Sequence, residues 1–231
     1  MRARRTLISV TLGVVAAAST VAAVGPIAAP ATVAEQAVRA GDPVTVGDPF
    51  VTPTRTLVIS DSVFTAIRWN GYLDRLHGTE WVMELEPCRS LTIPSCPDVG
   101  PPTVLEQLGD LPFPPDRHDL LVIATGYNDF PFSFESDFAS VVGAARAVGF
   151  RWIVWVNHHL GGSSRRLPDY VLMNRMLDEL VRSGAYPDVS IWDYAAFTEG
   201  HRDWFLTDNV HLTATGALHT ADWLTARITA S

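Results

Sequence analysis

The sequence has 231 residues, a length that suits one medium domain with a sizeable hydrophobic core. It carries 17 Lys and Arg residues against 25 Asp and Glu residues, which gives a formal net charge of −8. Every basic residue is an arginine, and the arginines do not cluster in the body of the chain. This acidic balance argues against nucleic acid or an anionic membrane surface as a partner.

The N-terminus has the pattern of a secretory signal peptide. Three arginines precede an apolar run over residues 7–18, and small residues follow. The run is shorter than the ~20 residues that a membrane span needs. We therefore predict a signal peptide over residues 1–34, with Ala29 or Ala34 as its last residue and an uncleaved anchor as the alternative. Cleavage removes three arginines and no acids, so the formal charge moves from −8 to −11.

The rest of the chain predicts a lead-in followed by one α/β domain. Residues 35–54 are rich in Pro, Gly, Asp and Thr and predict a linker or extended segment. Over residues 55–231, apolar runs alternate with helical periodicity, which favours a parallel sheet covered on both faces. Strands are predicted at 56–60, 81–85, 120–124, 152–156 and 189–192. Helices are predicted at 62–76, 103–108, 134–148, 170–182 and 213–228.

The two cysteines predict a disulfide. Cys88 and Cys96 lie eight positions apart in a proline-rich loop, with no further metal ligands nearby. In an oxidising compartment two such cysteines most often pair. The bond would add roughly 2–3 kcal/mol through lost chain entropy in the unfolded state.

The turn after the first predicted strand is the first candidate site. An apolar run over residues 57–59 ends in Ser60, Asp61 and Ser62, and a helical segment follows at once. Ser62 would lie in the first helical turn, where free backbone N–H groups stabilise negative charge. The alternative is that Asp61 or Ser62 only caps the helix.

Two later stretches are weak signals when each is taken alone. Gly126, Asn128 and Asp129 follow the central predicted strand, which suits either a site or an ordinary turn. Asp208 precedes His211 by three residues, so its carboxylate could contact the imidazole Nδ1 and leave Nε2 free to accept a proton. The alternative is that Asp208 caps the last helix and His211 is a solvated loop residue.

Taken together and in this order, the three stretches resemble the SGNH, or GDSL-type, hydrolase family. The resemblance spans most of residues 56–225 and rests on about ten motif positions. It implies a flavodoxin-like three-layer α/β/α fold with a central parallel sheet, and ester hydrolysis by a serine. Matched by motif, Ser62 is the nucleophile, His211 the base and Asp208 the acid that orients it. The remaining matches are the Asn128 amide as an oxyanion donor and Gly126 and Asp129, with Asp61, as supporting residues.

The sequence departs from the family pattern at two positions. Ser60 stands where the first motif normally has a glycine. In the second motif, Cys88 or a neighbour replaces the glycine whose N–H would complete the oxyanion hole. Any residue except proline keeps a backbone N–H, so the donor can survive if the disulfide holds the loop, but a positive φ at Cys88 would be strained.

The sequence thus predicts an exported serine esterase, secreted or in the cell envelope. Its expected substrate is a small ester or an acylated glycan, with Tyr127 and His158 as residues that could line the cleft. No metal or cofactor is implied, and neither a nucleic acid nor a stable membrane association after cleavage is expected. The alternatives are an O-acyltransferase acting on an envelope glycan and a catalytically weak protein that binds carbohydrate.

Overall fold

The computed structural model describes residues 52–96, 98 and 100–229. The predicted signal peptide over residues 1–34 and nearly all of the lead-in over residues 35–54 lie outside the described residues. None of the described helices is both long enough and apolar enough to cross a lipid bilayer.

Five parallel strands form one sheet in the order β2-β1-β3-β4-β5. The strands are β1 (Arg55–Ser60), β2 (Glu80–Leu85), β3 (Leu120–Ala124), β4 (Trp152–Val156) and β5 (Val189–Trp192). All five residues of β3 are buried, as expected for a central parallel strand with a continuous apolar run. The five predicted strands are all confirmed, and their ends agree to within one residue.

Within the described part of the chain, six α-helices connect and follow the strands. They are α1 (Ser62–Trp69), α2 (Val104–Gly109), α3 (Pro131–Val148), α4 (Leu167–Arg182), α5 (Tyr194–Phe197) and α6 (Ala214–Thr229). Two single 3₁₀ turns span Tyr72–Arg75 and Arg202–Trp204. Helix α1 packs with α6, whereas α3 packs with both α2 and α4. Right-handed crossovers in this strand order place these two groups on opposite faces of the sheet, which gives three layers.

The helix boundaries differ from the predictions where proline or glycine lies near an end. Periodicity predicts helix starts at residues 134 and 170, but α3 begins at Pro131 and α4 at Leu167, just before Pro168. Proline is tolerated in the first turn, because its missing N–H would have no partner there. The helix predicted over 62–76 ends at Trp69, because Gly71 takes a φ of 75°. The four-residue helix α5 was not predicted.

The strand order creates a crevice at one edge of the sheet. From β1 the chain passes through α1 to β2, whereas β3 lies on the other side of β1 and the later strands extend away from it. In open α/β sheets, ligands bind at the carboxyl ends of the strands where this order reverses. The residues that follow β1 and β3 therefore lie at the position where a site is expected.

Candidate active site

Ser62 lies at the start of α1, directly after β1. Asp61 caps the helix, since its Oδ1 accepts the Val63 N–H at 3.0 Å. Ser62 is the first helical residue, so its backbone N–H has no acceptor within the helix. The turn therefore presents a hydroxyl and a free N–H together at the edge of the sheet.

Asp61 joins the turn after β1 to the turn after β3. Its Oδ2 accepts the N–H groups of Gly126 at 3.3 Å and Tyr127 at 3.2 Å. The carboxyl group is fully buried, and burial raises its pKa to about 6 in spite of these hydrogen bonds. Asp61 thus fixes the position of Ser62 relative to the segment that carries Asn128.

His211 and Asp208 approach Ser62 from the loop before α6. His211 Nε2 lies 2.9 Å from Ser62 Oγ, and His211 Nδ1 lies 2.7 Å from Asp208 Oδ2. A carboxylate can only accept hydrogen bonds, so Nδ1 carries the proton and Nε2 is free to accept the hydroxyl proton. The three side chains form a hydroxyl, imidazole and carboxylate series, an arrangement that can activate a serine hydroxyl.

The backbone of this loop holds Asp208 in place. Asp208 Oδ1 accepts the N–H groups of Val210 at 2.9 Å and His211 at 3.0 Å. Burial alone would raise the pKa of Asp208, but the hydrogen bonds from the His211 ring and the two backbone N–H groups outweigh it. The pKa of Asp208 therefore lies below its ordinary value, and the group is a carboxylate at neutral pH.

Asn128 and Asp129 connect the site to the loop that follows β2. Asn128 Nδ2 donates to the Arg89 carbonyl at 2.9 Å, and Asp129 Oδ1 accepts the Leu91 N–H at 3.0 Å. Asp129 is buried, and burial raises its pKa to about 7. Both residues hold the loop against the turn that follows β3.

The two departures from the family pattern are accommodated differently. Ser60 is buried and its hydroxyl donates to the Ala124 carbonyl at 2.8 Å, which ties the end of β1 to the end of β3. Cys88 has a φ of 64°, the left-handed conformation that favours glycine. It also forms the predicted disulfide with Cys96.

A cavity of about 460 Å³ opens beside Ser62. Of the predicted residues, it brings together Ser62, Asn128, Tyr127, Asp208 and His211. Asp61, Gly126 and Asp129 lie behind this surface, in the supporting positions described above. Cys88 is also absent from the lining, although its loop contacts Asn128 through the neighbouring Arg89.

The structure does not place His158 in the cleft, which corrects that prediction. His158 is buried, its ring stacks on Tyr170, and Nδ1 lies 2.9 Å from Asn174 Oδ1. Burial lowers the pKa of His158 to about 4, so the ring is neutral. Its Nε2 would lie 2.5 Å from a Cβ at Gly126, where φ is 146°. His158 therefore explains why glycine is required at position 126.

Sequence reasoning missed the segment over residues 161–166, which we call the arginine loop. Ser163, Ser164, Arg165 and Arg166 all line the cavity. No motif marks them, since their place in the cleft depends on contacts between distant parts of the chain. Two adjacent arginines after two serines were the only signal, and in a chain with 17 arginines that signal is weak.

Comparisons with solved structures identify the architecture. The catalytic domain of peptidoglycan O-acetyltransferase A from Streptococcus pneumoniae has 20% sequence identity and a TM-score of 0.53 over 78% of this chain and 92% of that chain. Est24, a carbohydrate acetylesterase from Sinorhizobium meliloti, has 16% identity and a TM-score of 0.51 over 76% and 98%. The chain has the SGNH-hydrolase fold.

A G-D-S-L lipolytic protein from Veillonella parvula shares the SGNH fold with a TM-score of 0.54 at 10% identity, over 76% of this chain and 98% of that chain. No protein-family model and no curated protein sequence matches the chain. The fold that the resemblance implies is therefore confirmed by the similarity to solved structures alone.

Proposed function

We propose that this protein is an exported serine esterase that hydrolyses an ester or O-acetyl group through an acyl-enzyme on Ser62. The observation that carries the proposal is the continuous series from Ser62 Oγ through His211 to Asp208, at 2.9 and 2.7 Å. Two solved structures with the same fold bear names that specify acetyl transfer to peptidoglycan and acetyl-ester hydrolysis on carbohydrate. The disulfide agrees with export to an oxidising compartment.

In the first half-reaction, His211 Nε2 takes the proton from Ser62 Oγ as the oxygen attacks the acyl carbon. Asp208 stabilises the imidazolium that forms and keeps Nδ1 protonated. The C–O bond of the ester then breaks, and His211 returns the proton to the departing alcohol. The acyl group remains on Ser62.

The tetrahedral intermediate needs donors for its negatively charged oxygen. We assign the Ser62 N–H at the start of α1 and the Asn128 side-chain amide to this role. The Cys88 N–H is the third proposed donor, supported by its left-handed φ of 64° and by the contact between its loop and Asn128. Removing one such donor typically lowers kcat by about 10²–10³-fold.

In the second half-reaction, an acceptor hydroxyl loses its proton to His211 and attacks the acyl carbon. The bond between that carbon and Ser62 Oγ then breaks, and His211 returns the proton to Ser62. Water as acceptor makes the protein an esterase. A sugar hydroxyl as acceptor makes it an O-acyltransferase, an alternative that the similarity to O-acetyltransferase A supports equally well. The open cavity of about 460 Å³ has room for either acceptor.

The test compares p-nitrophenyl acetate and butyrate hydrolysis by the secreted protein and by Ser62→Ala. We expect the variant to lose turnover by at least about 10³-fold, because the hydroxyl is the attacking group. Ser140→Ala is the matched control, since that serine is exposed on α3 and its hydroxyl bonds only to its own helix. Circular dichroism checks that each variant is folded.

Equal rates for the wild-type protein and Ser62→Ala would contradict the serine mechanism. Labelling of Ser62 by a fluorophosphonate would argue against the carbohydrate-binding alternative. Transfer of acetyl from p-nitrophenyl acetate to an added oligosaccharide, measured by mass spectrometry, would identify an acyltransferase.

A further inference from the structure

Among the charged residues that line the cavity, Arg165 differs from the other two. Asp208 is paired with His211, and Arg166 is held by several partners. Arg166 donates to Asp169 Oδ2 at 3.1 Å and to the carbonyls of Tyr127 and Asp129, and its guanidinium lies over the Phe130 ring. Arg165 makes no hydrogen bond or ion pair with any residue in the described part of the chain. Among the residues that the structure describes, the cavity therefore contains one exposed cation without a partner.

Contacts at three points fix the arginine loop, so the backbone that carries Arg165 has a defined place at the rim of the cavity. At its start, the Gly161 N–H donates to His159 Nε2 at 3.1 Å. In its middle, a Cβ at Gly162 would lie 2.1 Å from the Asn209 side chain, so the loop backbone lies directly against the loop that carries His211. At its end, Arg166 binds the turn after β3.

Because the chain is negatively charged overall, an unpaired arginine in its cleft indicates recognition of an anionic group. The chain has a formal net charge of −8, so its overall field repels an acidic polymer. A guanidinium in the cleft recognises a carboxylate or a phosphodiester with two parallel hydrogen bonds. The exposed hydroxyl of Ser163 beside it offers a further polar contact to a sugar.

We infer that Arg165 selects acylated glycans that carry an anionic group, a carboxylate or a phosphodiester, close to the acyl-bearing sugar. This inference names the substrate class of the same site and rests on the proposed function. Arg165 is a specificity-determining residue, whereas Arg166 holds the architecture of the cleft.

The experiment uses matched O-acetylated oligogalacturonates with free or methyl-esterified carboxylates, which differ only in charge. Release of acetate gives kcat/KM for each form. For the wild-type protein we expect a preference for the charged form. In Arg165→Gln the ratio of charged to neutral kcat/KM should fall by about tenfold, the loss expected for one charge-assisted hydrogen-bonded pair. Arg165→Lys keeps the charge without the planar fork and should retain part of the preference.

Arg175→Gln is the matched control, because Arg175 is an exposed arginine of α4 outside the cavity. It removes the same charge and should leave both rates unchanged. Competition by unacetylated oligogalacturonate and by poly(glycerol phosphate) separates the two anions. The polymer that inhibits the wild-type protein more strongly, and loses this advantage in Arg165→Gln, carries the anionic group that Arg165 prefers.

The outcomes separate this inference from the proposed function. Ser62-dependent acetate release with the same charge ratio in the wild-type protein and Arg165→Gln would overturn the inference and leave the esterase standing. If no ester is turned over, oligogalacturonate binding is measured by calorimetry. Arg165-dependent binding would then support the anion site without the esterase, and absent or Arg165-independent binding would overturn it.

Discussion

At the scale of single residues, Asp208 has two separate tasks. One oxygen of its carboxylate accepts two backbone N–H groups and shapes the turn, while the other accepts the proton-bearing Nδ1 of His211. An amide of the same shape can keep the first task, because its carbonyl still accepts. It cannot perform the second, because its NH₂ group would face Nδ1 as a donor and favour the wrong tautomer.

Asp208→Asn should therefore lower kcat by roughly 10²–10⁴-fold while the fold is retained. The measurement is steady-state hydrolysis of p-nitrophenyl acetate, with circular dichroism and a urea titration as controls for structure. A rate within about threefold of the wild type would show that His211 does not depend on Asp208 for its tautomer.

At the scale of elements, the site depends on two loops that contact each other away from the sheet. The arginine loop and the loop over residues 205–213 meet where Gly162 faces Asn209. Both residues have a positive φ, 78° and 56°. The second loop is closed by the Leu206 N–H, which donates to the His211 carbonyl at 2.7 Å, and by an antiparallel bridge between Phe205 and Leu212. A shift at the contact would move His211 away from Ser62.

Gly162→Ala should reduce kcat/KM by at least about tenfold, since a displacement of ~1 Å in a reacting group is costly. It should also lower the free energy of unfolding by more than the ~1–2 kcal/mol that a left-handed φ costs an alanine. Gly184→Ala is the matched control, with a φ of 77° and no atom within 4 Å of its added Cβ. Gly184→Ala should lose only the free energy of unfolding that a left-handed φ costs an alanine, and it should keep full activity. Equal effects of the two substitutions on activity would contradict the coupling of the loops.

At the scale of the whole molecule, the sequence predicted the parts that local pattern specifies. Ser62, Asn128, Asp208 and His211 lie in short motifs beside strand or helix ends, and the parallel order of the strands brings them together. The place of Arg165 in the cavity was missed, because it depends on a loop held by His159, Gly162 and Arg166. The prediction that His158 lines the cleft was wrong, because no local pattern shows whether a histidine after a strand points to the cleft or to the core.

The buried ionisable groups of the domain affect its stability in opposite directions. The pKa of Asp129 is raised to about 7, so protonated Asp129 stabilises the fold at low pH, and this stability is lost as pH rises through about 7. Burial lowers the pKa of His158 and His159 to about 4, so their contribution is lost as pH falls from about 6.5 to about 4. Between about pH 4 and 6, the change of stability with pH that Asp129 causes is therefore opposite in sign to the change that the two histidines cause.

Asp129→Asn should remove the loss of stability with rising pH that Asp129 causes. An asparagine can still accept the Leu91 N–H but carries no charge, so the variant should gain stability relative to the wild type as pH rises from about 4 to about 7. The gain is at most about 1.4 kcal/mol per pH unit. Urea unfolding across this range measures it, and Asp110→Asn, which removes an exposed carboxylate, controls for net charge. A difference that does not change with pH would contradict the burial of a titrating Asp129.

The contact between Ser62 and His211 spans 149 residues of sequence. During synthesis Ser62 and Asn128 are made early, whereas His211 is made only shortly before α6. Under the proposed mechanism, a chain that stops before residue 205 has the hydroxyl and its proposed oxyanion donors, but lacks the imidazole that takes the proton. We therefore expect the proposed transfer of an acyl group to Ser62 to begin only after the segment that carries His211 has been made and α6 has packed against α1.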